Sequence, residues 1–235
     1  MTDSLSRRLA RTLVPVSLAL TPVLLPLGFL PGPLAARPAH AAVVQQLEDA
    51  LSTLPTADED RTGFEAGAFE HWNEGQDADD GCTTREEVLI AEAVEAPEVG
   101  AGCEITGGKW LSYYDNQSVT GTAALTVDHL VPLAEAWGSG ARTWSAARRE
   151  AYANDQAVPT TLVAVTARTV REKAAQDVAD WLPLAGDNYC RYVGEWVATK
   201  HRWSLSVDKD ELETLKLLAD NACERTVVIY TPAPA

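Results

Sequence analysis

The sequence predicts a disulfide-stapled α+β domain that leaves the cell. Three observations carry this: a leader of signal-peptide form, four cysteines behind it, and strand-like runs in mid-chain flanked by helical patterns. Arg7, Arg8 and Arg11 precede an uncharged run from Leu13 to Leu30, and Ala39-His40-Ala41 offers the small-x-small form that a signal peptidase needs. Residues 1–41 are therefore expected to be a signal peptide cleaved after Ala41. Pro15, Pro22 and Pro26 interrupt the apolar run and disfavour a spanning helix, so no stable membrane association is expected after cleavage. The mature product is expected to be extracellular and monomeric.

Loss of that segment takes four basic and one acidic side chain and moves the formal charge from −15 to −18. Such acidity excludes indiscriminate polyphosphate binding, which rests on Lys and Arg. The charge is uneven, however: Arg142 to Arg202 holds nine basic and seven acidic side chains, so only this stretch could face an anion.

Residues 42–62 are polar and acidic with a brief helical pattern from Val43 to Leu54, which reads as a flexible leader. The domain is expected over 63–226, opening on the anchors Phe64, Phe69 and Trp72 and an acidic turn at Asp77–Asp80. Thr83 or Thr84 can cap a helix through Val88, Leu89 and Ala93, with Glu86 and Glu87 in its first turn. Cys103 to Tyr114 reads as extended about a Gly107-Gly108 turn. Val119 to Val127 reads as a strand that ends on Asp128-His129.

Helix is expected over Ser145–Ala153, a short strand over Thr160–Thr166, and helix again over Ala167–Ala179. Asp187 or Asn188 can cap a helix with Tyr192, Val193, Trp196 and Val197 on one face, and Ser206 or Asp208 can cap another carrying Leu212, Leu215 and Leu218. The prolines of 227–235 suggest a tail. Of the three possible cystine connectivities, Cys82–Cys103 with Cys190–Cys223 closes the shortest loops, and no C-x-x-C spacing supports zinc. The tryptophans sit beside Leu, Pro and Val, as packing residues do, and His40, His71 and His201 lack ligand spacing.

Val127-Asp128-His129-Leu130 places a carboxylate and an imidazole side by side at a strand end. Asp128 could hold a hard divalent ion through oxygen, and His129 could take a proton from water. An isolated Asp-His pair reads more readily as a histidine hydrogen-bonded to its neighbouring carboxylate in a turn. The surrounding text is more specific. GCTTREEVLIAEA, CEITGGKWLSYYD, TVDHLVPLAEAWGSGARTW, RREAYAND, TLVAVTA, WLP and the Cys-x-Tyr-Val-x-x-Trp-Val pattern stand in one order between Phe64 and Cys223. The ordered set resembles the exported HNH endonucleases of bacteria.

The resemblance implies a ββα-metal core with additional packed helices, in which two strands and a helix hold one Mg2+ or Mn2+. It implies Asp128 as metal ligand, His129 as general base and DNA, or RNA, as substrate. The family's N-R-S-K-G-D falls on Val170-Arg171-Glu172-Lys173-Ala174-Ala175, so valine stands where the second metal ligand, an asparagine, belongs. Asn154, Asp155, Glu172 and Asp177 are candidates to support the site or replace that ligand. Lys173, Arg171 and Arg168 are the expected phosphate contacts. A catalytically degenerate copy that binds an extracellular partner is the alternative.

Overall fold

The computed structural model of the protein describes residues 41–234. The expected signal peptide lies outside them except for Ala41. In chain order the elements are β1 (Val43–Gln46), α1 (Leu47–Thr53), α2 (Thr84–Ala91), β2 (Glu98–Val99), β3 (Ile105–Thr106), β4 (Lys109–Ser112), β5 (Gln117–Thr120) and β6 (Leu125–His129). There follow α3 (Leu133–Gly138), α4 (Ala146–Ala153), β7 (Leu162–Thr166), α5 (Ala167–Lys173), α6 (Tyr189–Trp203), α7 (Lys209–Ala219) and β8 (Val227–Tyr230). The strands pair antiparallel in twos, β1 with β8, β2 with β3, β4 with β5 and β6 with β7. The protein is thus a mixed α and β domain of small antiparallel sheets.

Local chemistry explains the helix starts. Thr83 and Glu86 form a reciprocal capping box at α2, and Asp208 and Glu211 form another at α7. Ser145 accepts the Arg148 N–H to open α4. The disulfides are Cys82–Cys103 and Cys190–Cys223. The first ties the entry of α2 to the segment between β2 and β3, and the second ties the first turn of α6 to the chain just beyond α7.

Four expected segments differ. The leader at 42–62 contains β1 and α1, whose Leu47, Ala50 and Leu51 are buried in the main core. The expected tail contains β8, which pairs Val43 with Tyr230 and Gln46 with Val227. Each segment lacks a local partner and finds one at the opposite end of the domain. The strand read over Val119–Val127 is two strands, broken at Gly121, which adopts φ +72°. The helix read over Ala167–Ala179 stops at Lys173, because Ala174 takes φ +50°, a region that favours glycine.

The β6–β7 pair sits between two apolar layers, and its side chains alternate between them. Leu125, Val127, Leu162 and Ala164 join Val88, Leu89 and Trp110 in a smaller cluster under α2. Val163 and Val165 face the main core, where Trp196, Tyr192, Val193 and Val197 of α6 are buried. α5 follows β7 directly and packs back on both strands. Asp128 is paired with Val163 in register and His129 with Leu162, so the alternation of the pleat sends these neighbouring side chains to opposite layers.

Candidate functional site

Asp128 turns toward α5. Its Oδ2 accepts hydrogen bonds from Lys173 Nζ at 2.6 Å and from Tyr114 Oη at 2.8 Å, and Lys173 Nζ also donates to the His129 carbonyl at 3.0 Å. Lys173 is wholly buried, and burial pushes its ammonium below the usual lysine range while Asp128 pulls it back. The lysine expected to meet phosphate therefore meets Asp128 instead. Its charge neutralises the carboxylate in a place where an unpaired ion would be costly.

His129 points the other way, to the end of α4. Its Nε2 bonds to the Ala153 carbonyl at 2.9 Å, which requires the N–H at that nitrogen and leaves a lone pair on Nδ1. The ring is stacked on Trp72, with centroids 5.3 Å apart and planes at 30°, and lies at 6.3 Å and 22° from Tyr152 on its other side. Burial holds the imidazole at about 4, so the ring is neutral near pH 7. A neutral, oriented imidazole with one free nitrogen can accept a proton.

Asp128 and His129 are 7 % and 8 % exposed, so the pair is buried rather than open at a mouth. Among the described residues, the buried side-chain polar atoms without a partner are Gln45 Nε2 and Tyr192 Oη. Asp128 Oδ1 and His129 Nδ1 accept no hydrogen bond either, but they are not among these fully occluded atoms, so a narrow margin of each stays accessible. These two atoms are where the pair can act.

A divalent ion of the kind the resemblance implies would need more oxygen donors than Asp128 Oδ1. Val170 lies one turn before Lys173, is packed against the main core and has no donor atom. Asn154 Oδ1 accepts the Asn73 N–H at 3.2 Å, and its Nδ2 donates to the carbonyls of Glu70 and Glu150, both at 2.9 Å. Asp155 is held by Arg202 at 2.6 and 2.8 Å, by Trp203 Nε1 at 2.9 Å and by Thr161 at 3.0 Å. Asp177 caps the N–H groups of Ala179 and Asp180, and Glu172 is exposed. No group of three or more His, Cys, Asp or Glu side chains among the described residues could hold an ion. These residues do not compose a resident magnesium site. The four expected to support it or replace a ligand instead brace loops, bind Arg202 or face solvent.

Arg168 and Arg171 are exposed and line a groove of 580 Å3 beside α5 with Gln117, Ser118 and Asp115, which lies 3.6 Å from Arg168. They, not Lys173, are the cations of α5 open to an anion. The basic text at Lys200 and Arg202 is spent internally, on Glu135 and Glu211 at 2.7 and 2.9 Å and on Asp155.

Two contributors escape a reading of the sequence. Trp72, which the sequence presents as one more packing aromatic, lies flat on His129 and adopts φ +60°, a strained conformation for a bulky residue. Its neighbour His71 places its ring 5.8 Å from that of His129. No spacing signals this contact, because it joins residues far apart in the chain.

No family model matches the chain, and no solved structure does. A relative, an uncharacterised secreted protein of Arthroderma benhamiae, is 33% identical over 183 residues, which span 78% of this chain and 86% of the relative. The protein has two disulfides, no helix among its described residues is long and apolar enough to cross a membrane, and it is secreted. The chain belongs to the family of that Arthroderma benhamiae protein.

Proposed function

We propose that the protein is a secreted endonuclease built on an HNH-like ββα core, hydrolysing phosphodiester bonds of DNA, or of RNA, with His129 as general base. The observation that carries this reading is the fixed tautomer of His129. The carbonyl at the end of α4 takes Nε2–H, so Nδ1 keeps a free lone pair as a proton acceptor, while the neighbouring Asp128 carboxylate, turned to the other layer, is anchored to the helix that follows the second strand. The order β6, excursion, β7, α5 supports it; the groove of Arg168 and Arg171 offers charged donors to phosphate oxygens but lies at the Leu125–Thr166 end of the strand pair, away from His129. A bound Mg2+ would stabilise charge on phosphate oxygens. The donors at hand reduce to Asp128 Oδ1, so no step is derived through an ion.

The test is nicking of supercoiled plasmid by the mature domain, with and without Mg2+ or Mn2+. His129→Ala is expected to lower the rate by at least about 100-fold. Equal nicking by both proteins would remove His129 from the chemistry. A second reading, a degenerate copy that binds nucleic acid or another extracellular partner without cutting, is favoured by Val170 and by the ammonium on Asp128. It predicts no nicking under any metal, with retention of labelled DNA where the partner is nucleic acid.

A further inference from the structure

General-base hydrolysis by His129 uses one imidazole, yet two converge at this point. The segment Ala68–Asn73 is strapped along the last turns of α4 by four hydrogen bonds. Arg149 Nε donates to the Ala68 carbonyl at 2.9 Å, and Asn154 Nδ2 donates to that of Glu70 at 2.9 Å. The Asn73 N–H donates to Asn154 Oδ1 at 3.2 Å, and Asn73 Nδ2 donates to Glu150 at 2.5 Å. The same helix end orients His129 through the Ala153 carbonyl. One short helix thus sets both rings.

His71 repeats the logic of His129 with its nitrogens exchanged. Its Nδ1 donates to the Phe69 carbonyl at 2.7 Å, which leaves Nε2 without a partner among the described residues. The ring is half-buried, stands edge-on to Trp72 at 5.2 Å and nearly perpendicular, at 83°, to His129 at 5.8 Å. The two rings make no direct hydrogen bond with each other. Trp72 keeps a strained backbone while touching both rings, the kind of strain that persists where surrounding structure fixes a functional geometry.

Hydrolysis needs help at two oxygens, the attacking water and the departing alkoxide. Val170 offers no donor for an ion that could serve the second, and Lys173 is committed to Asp128. We infer that His71 is a second catalytic residue, the general acid that protonates the leaving oxygen of a phosphodiester while His129 deprotonates water. This rests on the hydrolytic reading. Water gives one proton to His129 Nδ1 as its oxygen bonds to phosphorus. The bond from phosphorus to the leaving oxygen breaks, and that oxygen takes the proton from Nε2 of the His71 imidazolium. An alcohol and a phosphomonoester leave, and the two rings return to their starting states by exchange with solvent.

A general acid matters only when the leaving group needs a proton. His71→Asn keeps a donor near Nδ1 for the Phe69 carbonyl and removes Nε2. Plasmid DNA, which expels an alkoxide, is compared with bis(p-nitrophenyl) phosphate, which expels a stable phenolate. The variant is expected to lose at least about 100-fold on DNA and less than about 3-fold on the nitrophenyl ester. Undiminished cleavage of DNA, or equal loss on both substrates by a variant that melts with the wild type, overturns the inference alone. If His71→Asn unfolds, His71→Gln is held to the same criterion. Failure of the wild type to cleave either ester overturns the hydrolytic reading, and this inference with it.

Discussion

Replacing Lys173 by methionine removes a wholly buried ammonium and leaves its carboxylate in place. The ammonium has two acceptors, Asp128 Oδ2 at 2.6 Å and the His129 carbonyl at 3.0 Å, and the Asp128 side chain is 9 % exposed. Breaking one partner out of a buried ion pair costs about 3–5 kcal/mol. Tyr114 still donates to Oδ2, which places Lys173→Met near the lower figure of about 3 kcal/mol. For a domain of this size that is a fall of about 6–12 °C in Tm. Denaturant unfolding of the wild type, Lys173→Met, Asp128→Asn and the double variant would measure the coupling. The double variant should be more stable than the sum of the single losses implies, by about 1–3 kcal/mol. A loss below about 1 kcal/mol for Lys173→Met, or strict additivity, would refute the view that this pair anchors the site.

The remaining predictions concern the two rings stacked at the site. The unfolded chain takes up a proton at His129 near its ordinary value of 6.5, whereas burial delays this in the folded state to about 4. Its stabilising contribution is therefore complete above about pH 6.5 and is lost as pH falls toward about 4, by roughly 3 kcal/mol in total. The stability difference between wild type and His129→Gln in urea should shift by about 2–3 kcal/mol between neutral pH and about pH 4.5. Parallel pH curves would contradict it. At Trp72, glycine relieves the positive φ that alanine does not. Trp72→Gly should then be more stable than Trp72→Ala by about 1 kcal/mol, and the reverse order in thermal melts would remove strain from the account.

What the chain reveals before folding is largely local. Capping residues at Thr83, Ser145 and Asp208 mark three helix starts, because a side chain a few residues from an unpaired N–H is a short-range matter. The strand-rich text ending on Asp128-His129 and the short cysteine loops were readable for the same reason, and loop closure favours near partners. The roles of β1 and β8 were not, since polar or proline-flanked termini acquire meaning only when they meet each other.

The site divides along the same line. The residue types at 128 and 129 announce chemistry, but adjacency in sequence suggested joint action, and the pleat turned them to opposite layers. Lys173 looked like a phosphate contact because its charge is visible and its burial is not. Only tertiary packing assigned it to Asp128, brought His71 and Trp72 to His129 across more than fifty residues, and spent Asn154 and Asp155 on bracing. The physical reason is that charge and hydrogen-bonding capacity belong to a residue, whereas desolvation and the choice of partner belong to its surroundings.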